Sequence, residues 1–327
     1  MIALRRSIVA VMVPLLASAA LSGQQATFRA GIDVVAVPVW VSDRGRAVNG
    51  LAATDFQLLD NNIVQDVTLT TMAKLPVDVT LVVDTSASIM GKTLDDVKAD
   101  LQQMADMLQA DDRVRVVSVS SNATEVVPLR SGGSILPVDR VVGGGTTALY
   151  DGLAAALVAY PFVERPQLVF VVTDGRDTAS FLDADQVVAV ARDSSAVLTI
   201  ALVMPPVPMN ESRTIEAVDP ALTEHSVVSV TSGNGSVSIV RGTGPFRGQP
   251  EVQQLRAAAS ATGGAFYANA ASDGIPDLFR RVIDELRDAY VLSYTPKGVS
   301  SPGWHTIAVR TKNAAQTIRA RSGYDGK

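Results

Sequence analysis

Residues 77–88 read Val77-Asp78-Val79-Thr80-Leu81-Val82-Val83-Asp84-Thr85-Ser86-Ala87-Ser88, an apolar run that ends in carboxylate and hydroxyl side chains. The part up to Asp84 is typical of a β-strand. Downstream, apolar residues recur at spacings of 3, 4, 3 and 4, which is the stripe of an amphipathic helix: Leu94, Val97, Leu101, Met104 and Leu108. The segment therefore predicts a strand, a polar loop and a helix in succession.

This alternation of strand and helix continues along the chain. Further strands are predicted at residues 114–119, 168–173, 197–203 and 265–268, and helices at 148–160, 184–192, 251–262 and 275–288. The pattern predicts an α/β fold, a doubly wound and mostly parallel sheet with helices on both faces. One insert, residues 205–250, interrupts the pattern, and its Ser232-Gly233-Asn234-Gly235 run predicts a hairpin turn.

The regions on either side of this α/β domain (76–289) have a different character. Residues 1–23 have the features of a signal peptide, since Arg5 and Arg6 precede an apolar run that is too short to span a membrane. Residues 27–74 and 290–327 are rich in predicted strands, and each is too small to form a core alone. We therefore expect an exported protein, periplasmic or extracellular, whose two flanks pair into one small β domain. No later segment is long and apolar enough to span a membrane.

Composition excludes several classes of function. The 327 residues include 28 Lys and Arg against 33 Asp and Glu, so the formal charge of −5 argues against a general nucleic-acid binder. The absence of cysteine excludes disulfides and thiolate chemistry. Only His225 and His305 could serve as imidazole bases or ligands, and both are expected to be ordinary surface residues. Trp40 and Trp304 are expected to anchor cores of β structure.

Polar loops follow the predicted strands at three separate points. The first carries Asp84, Ser86 and Ser88; the second is Gly143-Gly144-Gly145-Thr146-Thr147; the third holds Asp174, directly after a buried strand. Because open α/β sheets place their ligands at the carboxyl ends of strands, these hydroxyls and carboxylates should meet on one rim.

This set resembles the metal-ion-dependent adhesion site (MIDAS) of von Willebrand factor type A domains. The positions that match the motif are Asp84, Ser86, Ser88, Thr147 and Asp174, with Thr147 preferred to Thr146 because of its spacing to the following helix. The resemblance implies a bound divalent cation, which is completed by an acidic group of a partner. It implies a binding or adhesion protein rather than an enzyme. The flanks are similar to a narrower group of exported acidobacterial proteins related to these domains.

The chemistry of the residues agrees with that implication. Hydroxyl and carboxylate oxygens suit hard cations, so we expect Mg²⁺, with Mn²⁺ or Ca²⁺ as possibilities. Two carboxylates cancel the charge of such an ion, and neutral hydroxyls leave it able to bind an outside carboxylate. Asp177, close by in the sequence, is expected to be a solvated loop residue rather than a ligand.

Two alternatives stay open at this point. Residues 86–93 match a P-loop in which serine replaces the first glycine, so Gly91-Lys92-Thr93 could belong to a nucleotide-binding hydrolase. The final predicted helix runs directly into a strand at Tyr290. In the resembled family a shift of the last helix accompanies ligand binding, so this helix could transmit binding to the β domain or could act as a rigid connector.

Overall fold

The computed structural model describes residues 34–87, 92–159, 165–203, 250–270, 274–299 and 302–326, together with Ser232–Gly233 and Ser236–Val237. The predicted signal peptide and His225 lie outside the described residues. The strands are β1 (Val35–Asp43), β2 (Arg46–Ala47), β3 (Phe56–Asp60), β4 (Ile63–Gln65), β5 (Thr68–Thr71), β6 (Asp78–Asp84), β7 (Arg113–Val119), β8 (Ala123–Ser131), β9 (Gln167–Thr173), β10 (Val197–Val203), β11 (Ser232–Gly233), β12 (Ser236–Val237), β13 (Phe266–Ala270), β14 (Tyr290–Tyr294), β15 (Gly303–Thr311), β16 (Thr317–Ala320) and β17 (Gly323–Gly326). The helices are α1 (Lys92–Asp106), α2 (Leu149–Val158), α3 (Ala184–Asp193), α4 (Pro250–Ala261) and α5 (Ile275–Arg287).

The central sheet has the strand order β13-β10-β9-β6-β7-β8. All neighbours are parallel except β8, which runs antiparallel to β7. Helices α1 and α5 cover one face of the sheet, and α2, α3 and α4 cover the other. This arrangement confirms the predicted fold class. Within the described part of the chain, no helix combines the length and the apolar character needed to cross a bilayer.

Sequence reasoning missed one strand of this sheet and misplaced a turn. Strand β8 contains Pro128 and several polar residues, a composition that only an edge strand tolerates because proline cannot donate to the ladder. In the insert, Ser232 and Gly233 pair with Val237 and Ser236 instead of forming the first half of the turn. Only the Asn-Gly dipeptide is left between them, which is the sequence that two-residue hairpin turns favour.

Strands from the two flanks interleave in a second body of structure, which we call the β module (β1–β5 and β14–β17). In one sheet, β1 pairs with both β14 and β16, and β14 also pairs with β5. In the other, β15 pairs with β3 and β17, and β3 also pairs with β4. Their shared core includes Val37, Leu58, Leu292 and Ile307. The chain thus enters the α/β domain from the β module at β6 and returns to it through α5.

The β module corrects two expectations about single residues. His305 is only 1% exposed, not a surface residue, because its Nδ1 lies 2.8 Å from the buried carboxylate of Asp60. The hydroxyls of Tyr294 and Tyr324 donate to the same carboxylate at 2.8 Å, so three side chains satisfy the buried Asp60 carboxylate. Trp304 is 42% exposed and lies beside the guanidinium of Arg192, whereas Trp40 is buried as expected.

Candidate metal centre

The candidate site lies where two central strands of the α/β domain end. Strands β6 and β9 are parallel neighbours; β6 ends at Asp84, and β9 ends at Thr173, directly before Asp174. The helix after β6 packs on one face of the sheet and the helix after β9 packs on the other. Diverging connections of this kind open a crevice at the carboxyl ends of the strands.

The first loop turns the carboxylate of Asp84 inward. Asp84 is 1% exposed, and its two oxygens accept hydrogen bonds from the Ser86 backbone at 2.9 Å and from the Thr173 hydroxyl at 2.9 Å. Burial raises the pKa of Asp84, the charge of Asp174 adds to this rise, and the hydrogen bonds from Ser86 and Thr173 oppose it. Two carboxylates therefore repel each other in a buried crevice. Ser86 is 2% exposed, and Ser88 lies outside the described residues.

The glycine loop (residues 143–147) is bound to the first loop through the backbone. The amide of Gly144 donates to the carbonyl of Thr85 at 2.7 Å, and the amide of Ala87 donates to the carbonyl of Gly145 at 3.2 Å. Gly145 has a φ of +86°, and a Cβ there would lie 2.5 Å from the hydroxyl oxygen of Ser121. Glycine is required at this position for both reasons.

The two threonines of the glycine loop have different surroundings. Thr146 is exposed, and its amide and hydroxyl both bond to the Ser121 hydroxyl, at 3.2 and 3.1 Å. Thr147 is 4% exposed and exchanges backbone hydrogen bonds with Thr178 in the third loop: its amide donates to the Thr178 hydroxyl at 2.9 Å, and its carbonyl accepts from the Thr178 amide at 2.8 Å. Of the two threonines, Thr147 is therefore the one that is enclosed among the three loops.

Asp174 gives the strongest indication that the three loops fit a cation. It is 1% exposed, and one carboxylate oxygen accepts from the Arg176 amide at 3.0 Å. Its other oxygen, Oδ2, is buried and has no hydrogen-bond partner among the described residues. Buried carboxylate oxygens normally have a partner, so an orphaned one close to a second buried carboxylate fits a cation. The residues present therefore fit a divalent ion.

The donor set differs from the usual metal clusters of enzymes. Within the described residues, no group of three or more His, Cys, Asp or Glu side chains is placed to hold a metal. Charge can come from Asp84 and Asp174, and the remaining donors from hydroxyls, which is a hard-oxygen set.

A model of the von Willebrand factor type A (VWA) domain family matches residues 78–281, more than half of the chain. The chain belongs to this family. The matched region spans the α/β domain and all three loops, so the resemblance read from the motif is confirmed. Family membership supports divalent-cation binding at a MIDAS, and metal-dependent binding in general.

Several proteins resemble this VWA domain in sequence or fold. Uncharacterized protein sll0103 of Synechocystis sp. (strain ATCC 27184 / PCC 6803 / Kazusa) is 31% identical over 110 residues, which cover 32% of this chain and only 26% of that protein. The structure of von Willebrand factor type A from Catenulispora acidiphila is 14% identical with a TM-score of 0.47, over 84% of this chain and 63% of that one. Proximal thread matrix protein 1 from the mussel byssus, solved with zinc in its MIDAS motif, is 17% identical with a TM-score of 0.45, over 70% of this chain and 50% of that one. At identities below 20% and TM-scores below 0.5, the likeness to these two structures says nothing about the function of this chain.

Asp177 has a role in this VWA domain that the sequence did not predict, since it is more than a solvated loop residue. Its carboxylate accepts from the amide of Tyr150 at 3.0 Å and from the amide and hydroxyl of Ser180. It therefore caps the N-terminus of α2 from another loop and is half-buried, so it is a paired residue and not a freely solvated one. Its partner on α2 is 27 residues away, so no local pattern could have shown this role.

The nucleotide-binding alternative depends on residues at the other end of the first loop. Gly91 lies outside the described residues, and Lys92 and Thr93 are the first two residues of α1. Ser86, at the position of the first P-loop glycine, bonds to Asp84 through its backbone and side chain. The P-loop interpretation stays an untested prediction.

Proposed function

We propose that this protein is an exported, metal-dependent binding protein, not an enzyme, that captures an acidic group of a protein partner. The orphaned Oδ2 of Asp174 carries the proposal, because a buried anionic oxygen needs a positive or donating partner. The ligands proposed are Asp84, Ser86, Ser88, Thr147 and Asp174. Export rests on the signal peptide read from residues 1–23.

The charge balance of the site suits capture of an anion. A bound divalent cation would supply an electrophilic centre for a carboxylate from outside. Asp84 and Asp174 cancel its two charges, and the hydroxyls of Ser86 and Thr147 add no further negative charge. Asp177, the nearest additional carboxylate in the sequence, is turned away to cap α2. We propose Mg²⁺ as the ion because the donors are hard oxygens and include few carboxylates.

The adjacent threonines provide a matched test by titration calorimetry with MgCl₂. Thr147→Ala should weaken magnesium binding at least tenfold, whereas Thr146→Ala should leave it unchanged, since the side chain of Thr146, among the described residues, bonds only to Ser121. Asp84→Ala should abolish binding. Unchanged magnesium binding in Asp84→Ala would contradict the site. Micromolar ATP binding by the unaltered protein would instead support the P-loop hypothesis.

A further inference from the structure

The third loop presents two side chains to solvent that the metal site does not use. Arg176 is exposed, and among the described residues its guanidinium makes no ion pair. Phe181 is 99% exposed, the largest value among the exposed apolar side chains described. Single exposed apolar residues are common on protein surfaces, so exposure alone would mean little. These two residues are significant because the backbone at Phe181 is fixed by hydrogen bonds and because both residues lie in the loop that carries Asp174.

The backbone that carries Phe181 is anchored to the first turn of helix α2. The amides of Phe181 and Leu182 donate to the two carboxylate oxygens of Asp151, both at 3.0 Å. The Asp151 amide in turn donates to the Ser180 hydroxyl at 3.1 Å. Asp151 lies in the first turn of α2, the helix that begins two residues after Thr147. The exposed phenyl ring is therefore carried by a fixed backbone. This lowers the conformational entropy that is lost when a partner packs against the ring.

Two of the three carboxylates of this loop are engaged next to the site. Asp174 is buried and Asp177 caps α2, whereas Asp183, at the far end of the loop, is exposed and caps α3. Between these acids the loop exposes a cation two residues from Asp174 and an aromatic ring five residues further on. Arginine and aromatic side chains are the types most enriched at the centres of protein interfaces.

We propose that Arg176 and Phe181 determine the specificity of this site, and that the ligand is a protein segment in which the metal-binding carboxylate is flanked by a second acidic residue and an apolar one. This inference rests on the proposed function. The second acid pairs with the Arg176 guanidinium, and the apolar side chain covers the Phe181 ring.

Fluorescein-labelled peptides and the full chain give a direct test by fluorescence polarisation. The probe is Gly-Gly-Glu-Asp-Leu-Gly, compared with a peptide that has Gly in place of Leu and one that has Gln in place of Glu. In MgCl₂, Phe181→Ala should lower affinity for the probe about 5- to 10-fold and leave affinity for the Leu-to-Gly peptide unchanged. Arg176→Gln should lower affinity for the probe by a similar factor and leave the Glu-to-Gln peptide unaffected.

Matched exposed residues elsewhere serve as controls. Ile135→Ala removes a side chain that is 86% exposed, and Arg280→Gln removes an exposed guanidinium on α5; neither should change probe binding. Equal losses for all peptides, or no loss for any, would overturn the proposal. Magnesium binding without capture of any peptide would also overturn it but leave the metal site standing. Failure to bind magnesium by calorimetry would overturn the proposed function itself.

Discussion

Asp174→Asn should stabilise the metal-free protein while it destroys the site. The substitution removes a buried charge whose Oδ2 has no partner among the described residues and which repels Asp84. The retained amide oxygen can still accept from the Arg176 amide, as Oδ1 does at 3.0 Å. The fold therefore loses a destabilising feature and keeps a local hydrogen bond.

The magnitude follows from the cost of an unpaired buried group. An unsatisfied buried polar atom costs about 1–3 kcal/mol, and an amide in its place retains part of that cost, so we expect a gain of about 1–2 kcal/mol in the free energy of unfolding. For a protein of this size, with an unfolding entropy of about 0.7 kcal/mol/K, the gain corresponds to about 1.5–3 °C in Tm. Magnesium at about 100 times its Kd should stabilise the unaltered protein by about 2.7 kcal/mol and the variant by nothing. The stability order of the two proteins should therefore reverse between chelator and magnesium.

Differential scanning fluorimetry in EDTA and in MgCl₂ measures both effects on the same samples. Asp177→Asn is the matched control: it weakens the cap of α2 and should lower Tm equally in both conditions. A variant Asp174→Asn that is less stable than the unaltered protein in EDTA would refute the reasoning about the orphaned oxygen. A variant that still gains stability from magnesium would refute the ligand assignment.

Three outcomes concern the rest of the fold. Gly264→Ala places a Cβ 1.9 Å from the Leu198 carbonyl oxygen, so it should cost more than about 3 kcal/mol and sharply lower the urea midpoint. Tyr294→Phe removes a donor from the buried Asp60 carboxylate and should cost about 1–3 kcal/mol in the same urea assay. Burial raises the pKa of Tyr324 to about 12, so the unfolded chain ionises this group first, and stability should fall as pH rises from 10 to 12. Tyr324→Phe should remove part of that fall in urea midpoints measured across this range.

The elements that the sequence predicted are those whose burial leaves a local periodic pattern. Two such patterns predict buried surfaces: the apolar stripe of α1 (Leu94, Val97 and Leu101) and the apolar run of β6. The structure packs both in the core. The first and third polar loops could be placed on one rim because the parallel strands β6 and β9 bring their carboxyl ends together, whereas the glycine loop follows the antiparallel strand β8. Periodicity and topology together were therefore sufficient for the fold class and for the meeting of these two loops, and the metal assignment stays a prediction.

The features that were missed depend on polar groups paired over long distances in sequence. His305 is buried because Asp60 lies 245 residues away, and Asp177 acts on a helix that precedes it by 27 residues. A polar residue has the same local signature whether it is solvated or paired in the interior. Only the folded chain distinguishes these two cases, so single-sequence reasoning assigned both residues to the surface.

Other long-range polar pairs favour one of the two interpretations of α5. Arg287, at the end of this helix, donates to the Leu75 carbonyl at 2.6 Å and pairs with the buried Asp112. Two residues earlier, the Glu285 carbonyl accepts from the Trp40 indole at 3.0 Å, and the Glu285 carboxylate pairs with Arg319. A shift along the helix axis would break these contacts together, and burial of Asp112 makes their loss costly. The structure therefore favours a rigid connector. An engineered disulfide between α5 and the sheet, in a chain without competing cysteines, should leave magnesium affinity equal in its oxidised and reduced forms; a coupled helix would change that affinity about 5- to 150-fold.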